Sequence, residues 1–186
     1  MAGKNKEISE QTRQNFIDAF WSLYEKKDIN KIKIQEICDI AGYHRNTFYY
    51  YFKDVYDVLD KIENIIIEDI AENWGESEGS ADFVFSPEKI AGILEKYNKY
   101  LKILADEERG NRFSAKMRKV LKNYADDKIV YCEDKQKNDY IHEYHHAGFV
   151  ALVLYYFKIG RTISIEEVVN IATEIPSEGK WLMRYK

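Results

Sequence analysis

The stretch Lys31–Lys53, KIKIQEICDIAGYHRNTFYYYFK, decides the fold. Ile34, Ile37, Cys38 and Ala41 fall at i, i+3, i+4 and i+7, one face of a short helix. Ala41-Gly42-Tyr43-His44 interrupts that period, and Gly42 is the residue able to take the positive φ of a tight helix-to-helix turn. A second short helix is expected from Arg45, burying Phe48 and Phe52 and presenting Arg45, Asn46, Thr47, Tyr49, Tyr50 and Tyr51 on its other faces. Two short helices with one buried face each, joined by a glycine turn, form a helix-turn-helix pattern. Arg45 and Asn46 stand in the first turn of the second helix, the part that enters a major groove deepest. Arginine bonds guanine O6/N7 with two hydrogen bonds and asparagine does the same with adenine N6/N7, each pair discriminating by about 1–3 kcal/mol. Thr47 offers a hydroxyl and a methyl group, and Lys33 and Lys53 are placed to clamp phosphates.

The bulk numbers suit that reading. The chain has 186 residues, 45% hydrophobic and 15% aromatic, with two prolines, as expected of a folded, helical protein. A formal net charge of -4 argues against a general polyanion binder, but a sequence-specific binder needs only one local basic face. Lys31, Lys33, Arg45 and Lys53 stand against Glu36 and Asp39 in this stretch, and Lys4, Lys6 and Arg13 precede it. Acid gathers elsewhere: residues 63–82 carry Glu63, Glu68, Asp69, Glu72, Glu76, Glu78 and Asp82 without a lysine or arginine. Cys38 and Cys132 are far apart on expected helices and read as small buried hydrophobes in a reducing compartment rather than a disulfide or a redox switch. The N-terminus has no apolar core of a signal peptide, and the longest apolar run, Ala147 to Phe157, is about half the ~20 residues of a membrane span. A cytoplasmic protein is expected.

Outward from the central stretch, residues 1–8 read as a frayed arm and Ser9 as the cap of a helix reaching about Lys27, with Phe16, Phe20 and Leu23 on its apolar face. Asp54 is placed to cap a long helix to about Asn73, through Val55, Val58, Leu59, Ile62, Ile66 and Ile70; its first turns belong to the N-terminal core. Residues 75–86 read as a loop, and Ser86-Pro87 opens a helix carrying Ile90, Leu94, Tyr97, Leu101 and Leu104. Gly110-Asn111 is expected to separate it from a helix with Phe113, Met117, Leu121 and Tyr124 that bends or ends at Asp126-Asp127 and could resume through Tyr131. Lys135–Asn138 reads as a polar break before a helix from about Asp139 to Ile159, ended by Gly160. From Ala147 onward that helix is apolar on all faces, which calls for burial on all sides and hence a subunit partner. Ser164-Ile165-Glu166-Glu167 is a capping box for a helix ended by Pro176, and residues 179–186 suggest a short closing helix. The fold class expected is all-α: a helix-turn-helix DNA-binding domain over residues 1–54 and a helical effector-binding and dimerisation domain over 55–186.

AGYHRNTFYYYFKDVYDVL, residues 41–59, resembles the signature of the TetR family of transcriptional regulators: Ala-Gly, a hydrophobic residue, a short polar run, then Thr-Phe-Tyr, a Lys, and an amphipathic fourth helix. The resemblance covers about the first third of the chain. It implies a homodimer on a palindromic DNA operator, paired through the helices near 139–160 and 164–175, most often a repressor. It gives Tyr49 the place of a tyrosine that meets the phosphate backbone, with Tyr50 and Tyr51 as neighbouring candidates. It implies a small-molecule effector among the later helices, for which Tyr97, Tyr100, Phe113, Met117, Tyr124 and Tyr144 are the candidate lining residues. Two positions depart from the family pattern. Lys33 stands where many relatives have a capping Thr, and Val55 where many have a Lys. The C-terminal half also resembles, loosely, a subgroup linked to dihydroxyacetone-kinase operons, through the Gly148-to-Gly160 helix and the Ser164 turn. That subgroup includes regulators that work with protein partners, so a regulator acting through a protein is the alternative.

His142-Glu143-Tyr144-His145-His146 matches H-E-x-x-H, in which His142 and His146 would bind zinc with Glu143 as base. No downstream spacing supplies an obvious third ligand. A polar helix surface is therefore the expectation, with no metal, no cofactor and no enzyme activity; a metal-sensing site at His142 and His146 is the first alternative and a zinc hydrolase the remote one.

Overall fold

The N-terminal helix of the computed structural model, α1, runs from Ala2 to Tyr24, so residues 2–8 are helix rather than a frayed arm. Ala2, Lys4, Lys6 and Glu7 are good helix formers. Ser9 does not cap; its hydroxyl bonds the Tyr51 hydroxyl at 3.1 Å. The structure describes residues 2–73, 86–125, 132–160 and 162–177, and among these every regular element is helical. A 3-10 turn (Ile29–Lys31) leads to α2 (Ile34–Ala41), α3 (Arg45–Tyr51) and α4 (Val55–Glu72). Then come α5 (Pro87–Lys96), α6 (Asn98–Leu104), α7 (Glu107–Ala125), α8 (Lys135–Ile159) and α9 (Ile165–Ser177).

The chain divides into two compact units, Met1–Ile65 and Ile66–Lys186. The division falls inside α4 and not at its start. Val55, Val58, Leu59 and Ile62 are buried in the first unit, so the first turns of α4 complete its core. Asp54 caps α4 as its position requires, accepting from the Asp57 N–H at 2.8 Å. The centre of this unit is aromatic. Phe16 of α1 meets Phe48 of α3 edge-on at 5.5 Å and Phe52 at 6.3 Å, and all three rings are buried.

In the second unit α8 packs on α6, α7 and α9, and α5 packs on α9. Several expected boundaries move. The helix opened by Ser86 stops at Lys96, and Tyr97 (ψ 12°) separates it from α6. The Tyr97 hydroxyl donates to Asp69 at 2.8 Å, and Lys96 reaches the same carboxylate at 2.7 Å. Gly110 and Asn111 lie within α7; the break comes earlier, at Ala105-Asp106. Gly110 is there for space: a Cβ would stand 2.6 Å from the Leu104 carbonyl oxygen.

α8 starts at Lys135 because Asp134 caps it, accepting from the Gln136 and Lys137 N–H groups at 3.1 and 3.2 Å. Residues 135–138 are thus helix, and Cys132 lies outside the helices, ahead of that cap. Gly160 ends α8 at φ 88°. Ser164 and Glu167 form the capping box of α9, which runs on through Pro176 to Ser177, within the one- or two-residue latitude of helix ends. The loop at 75–85, the bend at 126–127 with its continuation to Tyr131, and the closing helix at 179–186 lie outside the described residues. No described helix is long and apolar enough to cross a membrane.

Candidate nucleic-acid interface

Three features hold α2 and α3 in a fixed relation. Gly42 adopts φ 76°, ψ 27°, and its N–H and that of Tyr43 both reach the Cys38 carbonyl, at 2.9 and 3.1 Å. A side chain at this φ is strained, which is why glycine occupies the turn. Tyr43 then ties the turn to α1: its ring packs 5.2 Å from Phe16, and its hydroxyl accepts from Asn15 at 3.1 Å. Phe48 anchors α3 from beneath, fully buried.

With α3 fixed in this way, Arg45, Asn46, Tyr49 and Tyr50 are exposed, Tyr50 to 80%. Thr47 is half-buried at the edge of the same face. Lys33 and Lys53 are exposed on either side of the pair of helices. Tyr51 differs from its neighbours. It is half-buried, its ring near Phe16 at 6.2 Å and its hydroxyl on Ser9, and it faces the core more than solvent. Arg45 donates to the Tyr49 hydroxyl at 3.2 Å.

Beside α3 an open hollow is lined by Gln35, Cys38, Asp39 and Gly42 together with Tyr43, His44, Arg45 and Asn46. Gln35, Asp39 and His44 were not singled out from the sequence. A signal existed: 35, 38, 39 and 42 are at i, i+3, i+4 and i+7, a second face of α2 that is mostly polar. Gln35 donates to Asp39 at 2.8 Å.

The two departures acquire structural reasons. Lys33 has no acceptor to cap α2, so Glu36 reaches back to the Lys33 N–H at 2.9 Å. The same carboxylate accepts from Lys27 at 2.7 Å, and the Lys27 bond, followed by the Lys33 N–H, lowers its pKa. Val55 is buried, so it serves the core and extends nothing towards solvent. Lys61, a turn and a half further along α4, donates to the Tyr51 carbonyl at 2.5 Å and lies 4.8 Å from the Phe52 ring centroid.

In the second unit Tyr97, Tyr100, Phe113 and Met117 are buried, whereas Tyr144 is 54% exposed on α8 and does not join them; the side chain of Tyr124 lies outside the described set. Burial, followed by the bond to Asp69, raises the Tyr97 pKa. Asp69 itself sits below its ordinary value: burial pushes upward, but Lys96 and Tyr97 together outweigh it.

The H-E-x-x-H tract does not present its groups to one place. His142 and His146 are buried, rings 5.6 Å apart. Glu143 is exposed and pairs with Lys122 of α7 at 3.8 Å. Among the described residues no group of three or more metal-binding side chains converges. His145, between them, has its pKa held down to about 4 by burial and then by His146 and His142.

Known proteins share this arrangement. A TetR transcriptional regulator from Streptococcus agalactiae 2603V superimposes with a TM-score of 0.61 at 17% identity, over 95% of this chain and 99% of that one. The chain has the TetR-family fold. The dihydroxyacetone kinase operon activator DhaS shares the TetR-like fold with a TM-score of 0.62 at 17% identity, over 89% of this chain and 94% of its own. In sequence, 72 residues are 31% identical to the HTH-type transcriptional regulator AcrR of Shigella flexneri, 39% of this chain. That match spans about a third of the curated regulator's length, 34%. No family model matches the chain.

Proposed function

We propose that the chain is a sequence-specific DNA-binding transcriptional regulator of the TetR type, acting in the cytoplasm as a homodimer on a palindromic operator. The observation that carries this is the exposed face of α3. Arg45, Asn46, Tyr49 and Tyr50 project from a helix whose opposite side is anchored by Phe48 and whose entry is set by Gly42. The face offers groups that pair with base edges, with Lys33 and Lys53 beside it for phosphates. The similarity to AcrR supports the same reading.

A second copy as partner is supported by α8. Tyr140 and Tyr144 in its first half and Tyr155 and Ile159 in its apolar second half are exposed, 72, 54, 58 and 41%. They recur at helical spacing along one face. Pairing two chains there also supplies the two-fold symmetry that a palindrome demands. Release by a small apolar or aromatic effector, with Tyr97, Tyr100, Phe113 and Met117 as the residues to test, completes the proposal, and repression is the direction proposed. Such an effector works by binding the DNA-incompetent state more tightly than the competent one.

The test is selection of duplexes from a random pool by the purified chain at low salt. Enrichment of one palindrome supports the proposal; a pool that stays random after repeated rounds refutes it.

A further inference from the structure

Arg45 and Tyr49 stand one helical turn apart on α3 and are joined twice. An Arg45 Nη2–H donates to the Tyr49 hydroxyl oxygen at 3.2 Å. The guanidinium carbon lies 5.9 Å from the Tyr49 ring centroid, near the limit of a cation–π contact. The Tyr49 ring is held in turn by an edge-to-face contact with Phe48, 5.7 Å and 84°, and Phe48 is fully buried. A continuous path of contacts therefore leads from the core to the tip of Arg45. The guanidinium has five N–H donors in a planar fork. Tyr49 occupies one, which leaves donors enough for a two-bond approach to guanine O6/N7.

We propose that Tyr49 is a positioning residue for Arg45, holding the guanidinium so that it reads guanine at one position in each half-site. This deepens, and rests on, the DNA-binding reading above. An unrestrained arginine must be ordered when it meets guanine, and a wrong base does not order it. Removing the restraint therefore erodes the preference for guanine more than it erodes binding as a whole. A tyrosine that touched only phosphate would behave differently. Its loss would weaken all sequences alike.

The experiment compares wild type, Tyr49→Phe, Arg45→Ala and the double variant on the selected duplex and on duplexes with each half-site position changed in turn. Binding is titrated between about 50 and 200 mM salt. Phenylalanine keeps the contact with Phe48, so thermal unfolding should match wild type. The result expected is that Arg45→Ala abolishes the preference for guanine at one position. Tyr49→Phe should lower that preference by about two- to ten-fold, as loss of one side chain's pre-ordering implies, with the salt slope unchanged. In the Arg45→Ala background it should add nothing at that position. A loss of affinity uniform across all sequences overturns the inference and leaves the regulator reading standing. So does an unchanged preference. Failure of the wild-type chain to select any duplex overturns both.

Discussion

α3 and α8 each carry exposed aromatic side chains, and their company differs in chemistry. On α3 the exposed set is Arg45, Asn46, Tyr49 and Tyr50, rich in hydrogen-bond donors. On α8 three phenol rings and an aliphatic chain, Tyr140, Tyr144, Tyr155 and Ile159, are exposed along one side, with Lys137 and Lys158 beside them. The buried sides differ in the opposite sense. Beneath α3 lies an all-aromatic anchor, Phe16, Phe48 and Phe52, whereas α8 buries Asn138, His142 and His146 among its apolar residues. A polar outer face on an apolar anchor suits a hydrated, charged partner such as DNA. Exposed aromatic and aliphatic side chains flanked by two lysines suit a second protein surface.

The largest effect expected is on the α3 anchor. Phe48→Ala removes a ring that contacts Phe16, Tyr49 and Phe52 and should cost about 3–5 kcal/mol, enough to unfold the first unit in chemical denaturation. On α8 the corresponding break is Tyr155→Glu with Ile159→Glu. These exposed positions should leave chain folding within about 0.5 kcal/mol, while sedimentation shows a dimer becoming a monomer. A monomeric wild type would remove the contrast between the two faces.

Two glycines sharpen the comparison. Gly110→Ala puts a Cβ against the Leu104 carbonyl and should destabilise by about 1–3 kcal/mol, as overpacking does. Gly42→Ala meets no atom within 4 Å; only its positive φ is penalised, by about 1–2 kcal/mol. Urea midpoints for the two variants should therefore rank Gly110→Ala as the more damaging or the equal of Gly42→Ala.

Most of the first unit was legible in the sequence because its signals are local. The 3.6-residue period of Ile34, Ile37 and Cys38, the turn at Gly42 and the cap at Asp54 are all short-range, and α2, the turn and the start of α4 formed where those patterns placed them. Lys27–Glu36, Ser9–Tyr51 and Asn15–Tyr43 were not legible, since each pair joins residues on different elements. They explain why Ser9 does not cap and why Tyr51 faces the core. In the second unit the same limit moved whole boundaries. Gly110 reads locally as a breaker, yet what it meets is a carbonyl from the preceding helix. His142 and His146 read as a polar surface or a metal pair, yet they are buried.

The smallest effect comes from that histidine tract. His145 has a pKa of about 4 against an ordinary 6.5, so as pH falls the unfolded chain takes up a proton before the folded one does. Its contribution to stability is whole above pH 6.5 and is lost progressively between there and 4. Partial exposure screens the effect. Urea midpoints at pH 7 and pH 5 should lie closer together in His145→Asn than in wild type.

The central claim is that the α3 face reads DNA. It is tested most directly by the affinity of wild type and Arg45→Ala for the selected palindrome at one fixed salt concentration. The expected loss is about thirty-fold or more, from about 1–3 kcal/mol for each bidentate pair in two half-sites, with the preferred base no longer distinguished where Arg45 sits. Equal affinity and unchanged base preference in Arg45→Ala would contradict it.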